Sequence, residues 1–273
     1  MPISDRHSWI AGAVFAVLVA GTGAPALALD LEAKIGDDTP PAQAYQMALR
    51  AYRDGHTDEA LSALEFAAGK GYAKAQWELA RRYADGNGVK RDTLKAFRYF
   101  QILADQHAED NPFVSTARIV ADSFVELSHY YLSGIPEAGV VQDISRAFNL
   151  LYHAATYFGD AEAQYRLGMM YLEGKGRNPS PATAARWLNL AAKKNHVGAQ
   201  GELGRLLYAD KNGPQDRLKG LIFLEVARRR ADPASQAWVI QTHDEIFATL
   251  DGNQRQLVTS AADRWVEKYG DRR

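Results

Sequence analysis

The densest group of potentially reactive side chains is His243-Asp244-Glu245, an imidazole beside two carboxylates, the types used for proton transfer or metal ligation. Consecutive helical residues point in different directions, so this triplet is expected on a solvated helix face rather than around a reacting atom. His56, His107, His153 and His196 fall near helix ends or turns, where an ordinary structural role suffices and pH sensing is the secondary reading. Gly86-Asn87-Gly88 and Gly174-Lys175-Gly176 look like half of a dinucleotide-binding loop, but each follows a helical pattern instead of a strand. The chain has no His-Glu-x-x-His, Gly-x-Ser-x-Gly, phosphate-binding Gly-x-x-x-x-Gly-Lys or EF-hand pattern. It also has no cysteine, which removes thiol nucleophiles, thiolate metal sites and disulfides. The expectation is a binding protein and not an enzyme, with no catalytic, cofactor-binding or metal residues.

Charge narrows the partner class. Lysine and arginine number 32 against 33 acidic residues, and no face is uniformly basic, so nucleic acid is not the expected partner. The basic runs Arg228-Arg229-Arg230 and Arg272-Arg273 read as solvated helix ends favoured by the helix dipole. At the amino terminus, Arg6 and His7 precede an apolar run from Trp9 to Ala20, then Gly21, Gly23, Pro25 and the small-x-small Ala26-Leu27-Ala28. Residues 1–28 are therefore expected to be a cleaved signal peptide, the mature chain to start near Leu29 in the periplasm, and residues 29–41 to be a flexible linker.

Internal repetition is the strongest signal. Tyr-x-x-Gly recurs as Tyr52–Gly55, Tyr83–Gly86, Tyr131–Gly134 and Tyr171–Gly174. Upstream lie the pairs Ala75-Gln76, Ala163-Gln164 and Ala199-Gln200, then Leu79-Ala80, Leu127-Ser128, Leu167-Gly168 and Leu203-Gly204. Downstream, the small residues Ala60, Ala96, Ala147, Ala184 and Gly220 are followed at four and seven residues by Leu64/Ala67, Phe100/Leu103, Leu151/Ala154, Leu188/Ala191 and Leu224/Ala227. Those spacings put each triplet on one helical face. Every copy predicts a helix, a glycine-bearing turn and an antiparallel helix, with Asp92 and Asp143 capping second helices. The expected fold is all-α: an α-solenoid of about five pairs over 42–232, an insertion near 107–119, and capping helices over 233–273.

The composite Ala-x-Ala-x-x-x-Leu-Gly-x-x-Tyr-x-x-Gly-x-Gly, fullest at Ala161 to Gly176, resembles the Sel1-like repeat, a longer-looped relative of the tetratricopeptide repeat. The order of parts is similar to a group of periplasmic Sel1-repeat regulators of exopolysaccharide synthesis. That order runs from a leader through Ala51 to Ala60, an insertion after copy two and Tyr130 to Pro136 to a helical tail. The resemblance implies binding to the periplasmic domain of a sensor histidine kinase and restraint of its pathway. A scaffold for envelope polysaccharide or secretion assembly is the alternative.

If first helices line the concave face, the packing positions Ala80, Ser128, Gly168 and Gly204 define the residues turned outward. These are Lys74, Trp77, Arg81 and Asp85, then Val125 and His129, then Tyr165, Met169 and Glu173, then Arg205. They are the expected partner-binding set, with Trp77, Tyr165 and the arginines as anchor types.

Overall fold

The computed structural model describes residues 35–209 and 213–270. One compact unit, Asp38–Arg273, holds every described helix. The repeats form five antiparallel pairs: α1 (Pro41–Arg53) with α2 (Thr57–Gly69), α3 (Ala73–Asp85) with α4 (Thr93–His107), and α5 (Ala117–Ser133) with α6 (Ile144–Thr156). The series continues with α7 (Ala161–Glu173) against α8 (Pro181–Ala192) and α9 (Val197–Ala209) against α10 (Pro214–Arg230). Each second helix packs on the next first helix, and α3 also touches α5 directly. This is the stacked architecture in which no single pair encloses its own apolar stripe.

The aligned triplets form the core. Of their fifteen positions, Gly220 is buried and the other fourteen, from Ala60, Leu64 and Ala67 to Leu224 and Ala227, are fully enclosed at 0% exposure. Small residues set the helix separation. A Cβ on Gly168 would lie 2.7 Å from Leu188 Cγ, and one on Gly220 would lie 2.6 Å from the Tyr208 backbone nitrogen. Close-packed interiors do not accommodate such overlap without moving a helix.

The turns repeat as closely as the core. Gly86 and Gly174 end their helices at φ 74° and 69°, the left-handed region that only glycine enters without strain. Asp92 and Asp143 accept the amides of Lys95 and Arg146 at 2.9 and 2.8 Å, the expected caps. Asp160 and Ser180 do the same for Ala163 and Thr183, caps that motif reading missed. The backbone amides of Asp92, Asp143 and Ser180 donate to the carbonyls of Tyr83, Tyr131 and Tyr171, closing the loop across the pair.

The Ala-Gln pairs have a definite task. The amides of Gln76, Gln164 and Gln200 donate at 3.1–3.2 Å to Ala68, Ala155 and Ala192, carbonyls at or next to the end of the preceding second helix. A buried carbonyl without a partner is costly, so each glutamine seals one repeat to the next.

After the fifth pair, α11 (Ala237–Ala248) and α12 (Gly252–Tyr269) pack on α10, and α11 reaches α9. One expectation is corrected here. His243 is not on a solvated face: it is 6% exposed and bridges Glu225 and Asp244 at 2.7 Å each, with its ring on Phe247. Arg228, Arg229 and Arg230 are exposed in the last turn of α10, as expected, and Arg228 and Arg229 also pair with Asp244 and with Glu225 and Asp263. The packing of α11 and α12 on α10 brings these opposite charges together, which helix periodicity alone does not reveal. The expected signal peptide and Arg272-Arg273 lie outside the described residues. Among the described residues, no helix is long and apolar enough to cross a membrane.

Candidate partner-binding groove

Three successive first helices, α3, α5 and α7, enclose a surface cavity of about 330 Å³ lined by Trp77, Arg81, Asp122, Val125, Glu126, Glu162 and Arg166. Trp77 is half-buried, with an enclosed indole nitrogen that has no hydrogen-bond partner among the described residues. Arg81 reaches from α3 to Glu126 on α5 at 3.5 Å and to Asp85 at 3.2 Å. Arg166 pairs with Glu162 at 2.6 Å along α7.

Glu162 connects this cavity to the following repeat. His196 accepts the Ala199 amide on Nδ1 at 3.0 Å, so its ring proton sits on Nε2 and faces Glu162 Oε2 at 2.7 Å. Burial opposes the charge on Glu162, but His196 and the Arg166 guanidinium outweigh it and hold the carboxyl at about 2. Asp122 is the opposite case. Burial and the neighbouring Asp160 push its carboxyl up to about 6, against partial relief from Arg118. Asp122 has no hydrogen bond or ion pair among the described residues.

The structure brings Trp77, Arg81 and Val125 together from the expected set. Val125 corrects its expected orientation: it is 6% exposed, because direct contact between α3 and α5 turns it into the floor of the cavity. Lys74, Asp85, His129, Glu173 and Arg205 are exposed but lie outside that cavity, as does half-buried Met169. Glu173 and Arg205 are occupied locally by Lys175 and Glu202. Tyr165 is half-buried, stacks on His196 at 4.6 Å and packs against the Leu188–Leu203 core cluster.

Asp122, Glu126, Glu162 and Arg166 are the lining residues that sequence reasoning missed. The signal was present. Lys74 stands six residues before packing residue Ala80, and the same offset from Ser128 and Gly168 gives Asp122 and Glu162. An offset of two gives Glu126 and Arg166. No three His, Asp or Glu side chains among the described residues are arranged to hold a metal ion.

Comparison with known proteins agrees with the repeat architecture. The Sel1 repeat model matches residues 73–107, 125–156 and 161–196. Proteins named exopolysaccharide production negative regulator, from Rhizobium leguminosarum bv. viciae and Rhizobium meliloti (strain 1021), are each 32% identical to this chain. The first alignment spans 249 residues, 91% of this chain and 91% of the relative; the second spans 248 residues, 90% of each. The chain belongs to the Sel1-repeat family. A Sel1 repeat protein from Oxalobacter formigenes superposes with a TM-score of 0.61 at 23% identity, covering 82% of this chain and 87% of that one. The protective antigen c5321 of uropathogenic Escherichia coli gives 0.51 at 20% identity, over 84% of this chain and 54% of its own. These two likenesses concern the fold alone.

Proposed function

We propose that this Sel1-repeat protein is a periplasmic regulatory binding protein. It binds and restrains the sensor domain of a membrane histidine kinase, and so controls exopolysaccharide and related envelope genes. The observation that carries the reading is the α3–α5–α7 cavity, where a tryptophan, two arginines and a carboxylate without a partner among the described residues line one surface. Trp and Arg are the side chains that concentrate binding energy at protein interfaces. The names of the two rhizobial relatives supply the regulatory context. Export through residues 1–28 would place the groove in the compartment of a kinase ectodomain.

The test is a crosslinking pull-down from envelope extracts with the chain from Leu29 as bait, repeated with Trp77→Ala/Arg81→Ala. Recovery of one membrane histidine kinase, lost in the double variant while the helical melt stays nearly unchanged, supports the reading. Recovery of polysaccharide-synthesis or secretion components without a kinase overturns it in favour of an assembly scaffold.

A further inference from the structure

The insertion between the second and third pairs walls a second, larger concavity. Its backbone is tied to α6 and the residue that caps it: His153 Nε2 lies 3.0 Å from the Ala108 carbonyl oxygen, and the Tyr157 hydroxyl donates to that of Glu109 at 3.1 Å. The Asn111 side chain accepts the Phe113 amide at 2.9 Å, and its carbonyl accepts that of Val114 at 3.1 Å. This side-chain-closed turn holds Phe113 93% exposed, with Val114 beside it at 44%. An aromatic ring fixed in water by an ordered turn is a feature of interaction surfaces.

Behind Val114 lies a cavity of about 1070 Å³ that shares Asp122 and Glu162 with the smaller one. Its charges are layered. Half-buried Asp122, Asp160 and Glu162 form the floor, while exposed Arg118, Lys193 and Arg230 stand at the rim. Asp160 is occupied by the Ala163 amide, and Glu162 by His196 and Arg166. Asp122 alone of the three floor carboxylates lacks a partner among the described residues.

We propose that this cavity receives a loop of the protein partner in which one lysine or arginine reaches Asp122, acidic neighbours meet Arg118, Lys193 and Arg230, and an apolar side chain covers Phe113. Charge complementarity selects that occupant. A purely anionic glycan would match the rim and leave Asp122 facing a like charge. The proposal rests on the protein-partner reading above and locates a second contact for the same partner.

The experiment places the photo-crosslinking residue p-benzoylphenylalanine at Phe113, at Trp77, and at Ile102 on α4 as a control, in the full chain expressed in its native cell. The expected result is one protein adduct from Phe113 and Trp77 and none from Ile102. Peptide mapping should put the Phe113 adduct on a segment containing lysine or arginine. Asp122→Asn is expected to lower affinity for the purified partner about tenfold, as for loss of a charged hydrogen bond, with Asp105→Asn unchanged. Crosslinking from Trp77 but not Phe113, a glycan adduct at Phe113, or undiminished affinity of Asp122→Asn overturns the second contact and leaves the partner reading standing. Silence at both positions counts against both.

Discussion

Replacing Asp122 by asparagine should make the free protein more stable. Burial beside Asp160 raises the native carboxyl from the ordinary 3.8 to about 6. At about 1.4 kcal/mol per tenfold change in proton affinity this amounts to roughly 3 kcal/mol. Asp122 is only partly enclosed and solvent screens it, so about 1–2 kcal/mol is the expected penalty. The sign follows from proton linkage. Below pH 3.8 the native and unfolded carboxyls are both protonated and there is no penalty. Between 3.8 and about 6 the native state keeps a proton that the unfolded chain has released, so stability falls as pH rises. Above that the penalty is complete. An asparagine side chain at this position cannot ionise, so the variant should melt roughly 2–8 °C above the parent at pH 7.5, and the two should converge near pH 4. Thermal melts at a series of pH values, with urea midpoints as a second measure, supply the test. A variant no more stable at pH 7.5, or one that keeps its advantage at pH 4, would refute the assignment of Asp122 as a half-buried carboxylate without a partner among the described residues.

Three further outcomes follow from the packing. Gly220→Ala places its Cβ 2.6 Å from the Tyr208 backbone nitrogen and 2.7 Å from the Gly204 carbonyl oxygen, atoms that no rotamer change can move away. It should cost about 1–3 kcal/mol or more in urea unfolding, while Gly69→Ala, with open space around it, should cost far less. Gln164→Leu strips the buried Ala155 carbonyl of its donor and should destabilise by about 1–3 kcal/mol; an unchanged urea midpoint would show that water replaces the glutamine. His243→Ala removes two 2.7 Å contacts and the stack on Phe247. It should loosen α11 by about 2–4 kcal/mol, read as faster amide exchange over Ala237–Ala248. In the parent, hydrogen bonds from His243 hold Glu225 and Asp244 below their ordinary values. Their contribution is therefore present above the unfolded carboxylate range and lost as pH falls through the native values; His243→Ala should flatten that acid limb.

The core was legible because periodicity and burial are the same fact seen twice. A residue repeated at four and seven positions after a small one must share its face, and all five such triplets are enclosed. The capping aspartates and the turn glycines were equally local, since a cap is decided within four residues of the helix start or end. The repeated glutamines were visible as a pattern but not as a device. Their acceptors lie eight or nine residues back on another helix, and only the stacking of pairs brings those carbonyls within reach.

The groove divides along the same line. Helix period was enough to select Trp77 and Arg81, because their direction depends on one helix alone. Val125 turned inward because α3 and α5 meet directly, a contact set by how the third pair follows the insertion. His243 and Arg229 were polar side chains on separate stretches of chain until α11 and α12 folded onto α10 and made them one network. The sequence by itself determined the helices, their turns and the faces they bury, since those follow from backbone geometry and hydrophobic spacing along a single chain segment. Only the tertiary structure decided which charges find partners and which, like Asp122, have none among the described residues. That outcome depends on distances of a few ångströms between helices, which no spacing along one helix encodes.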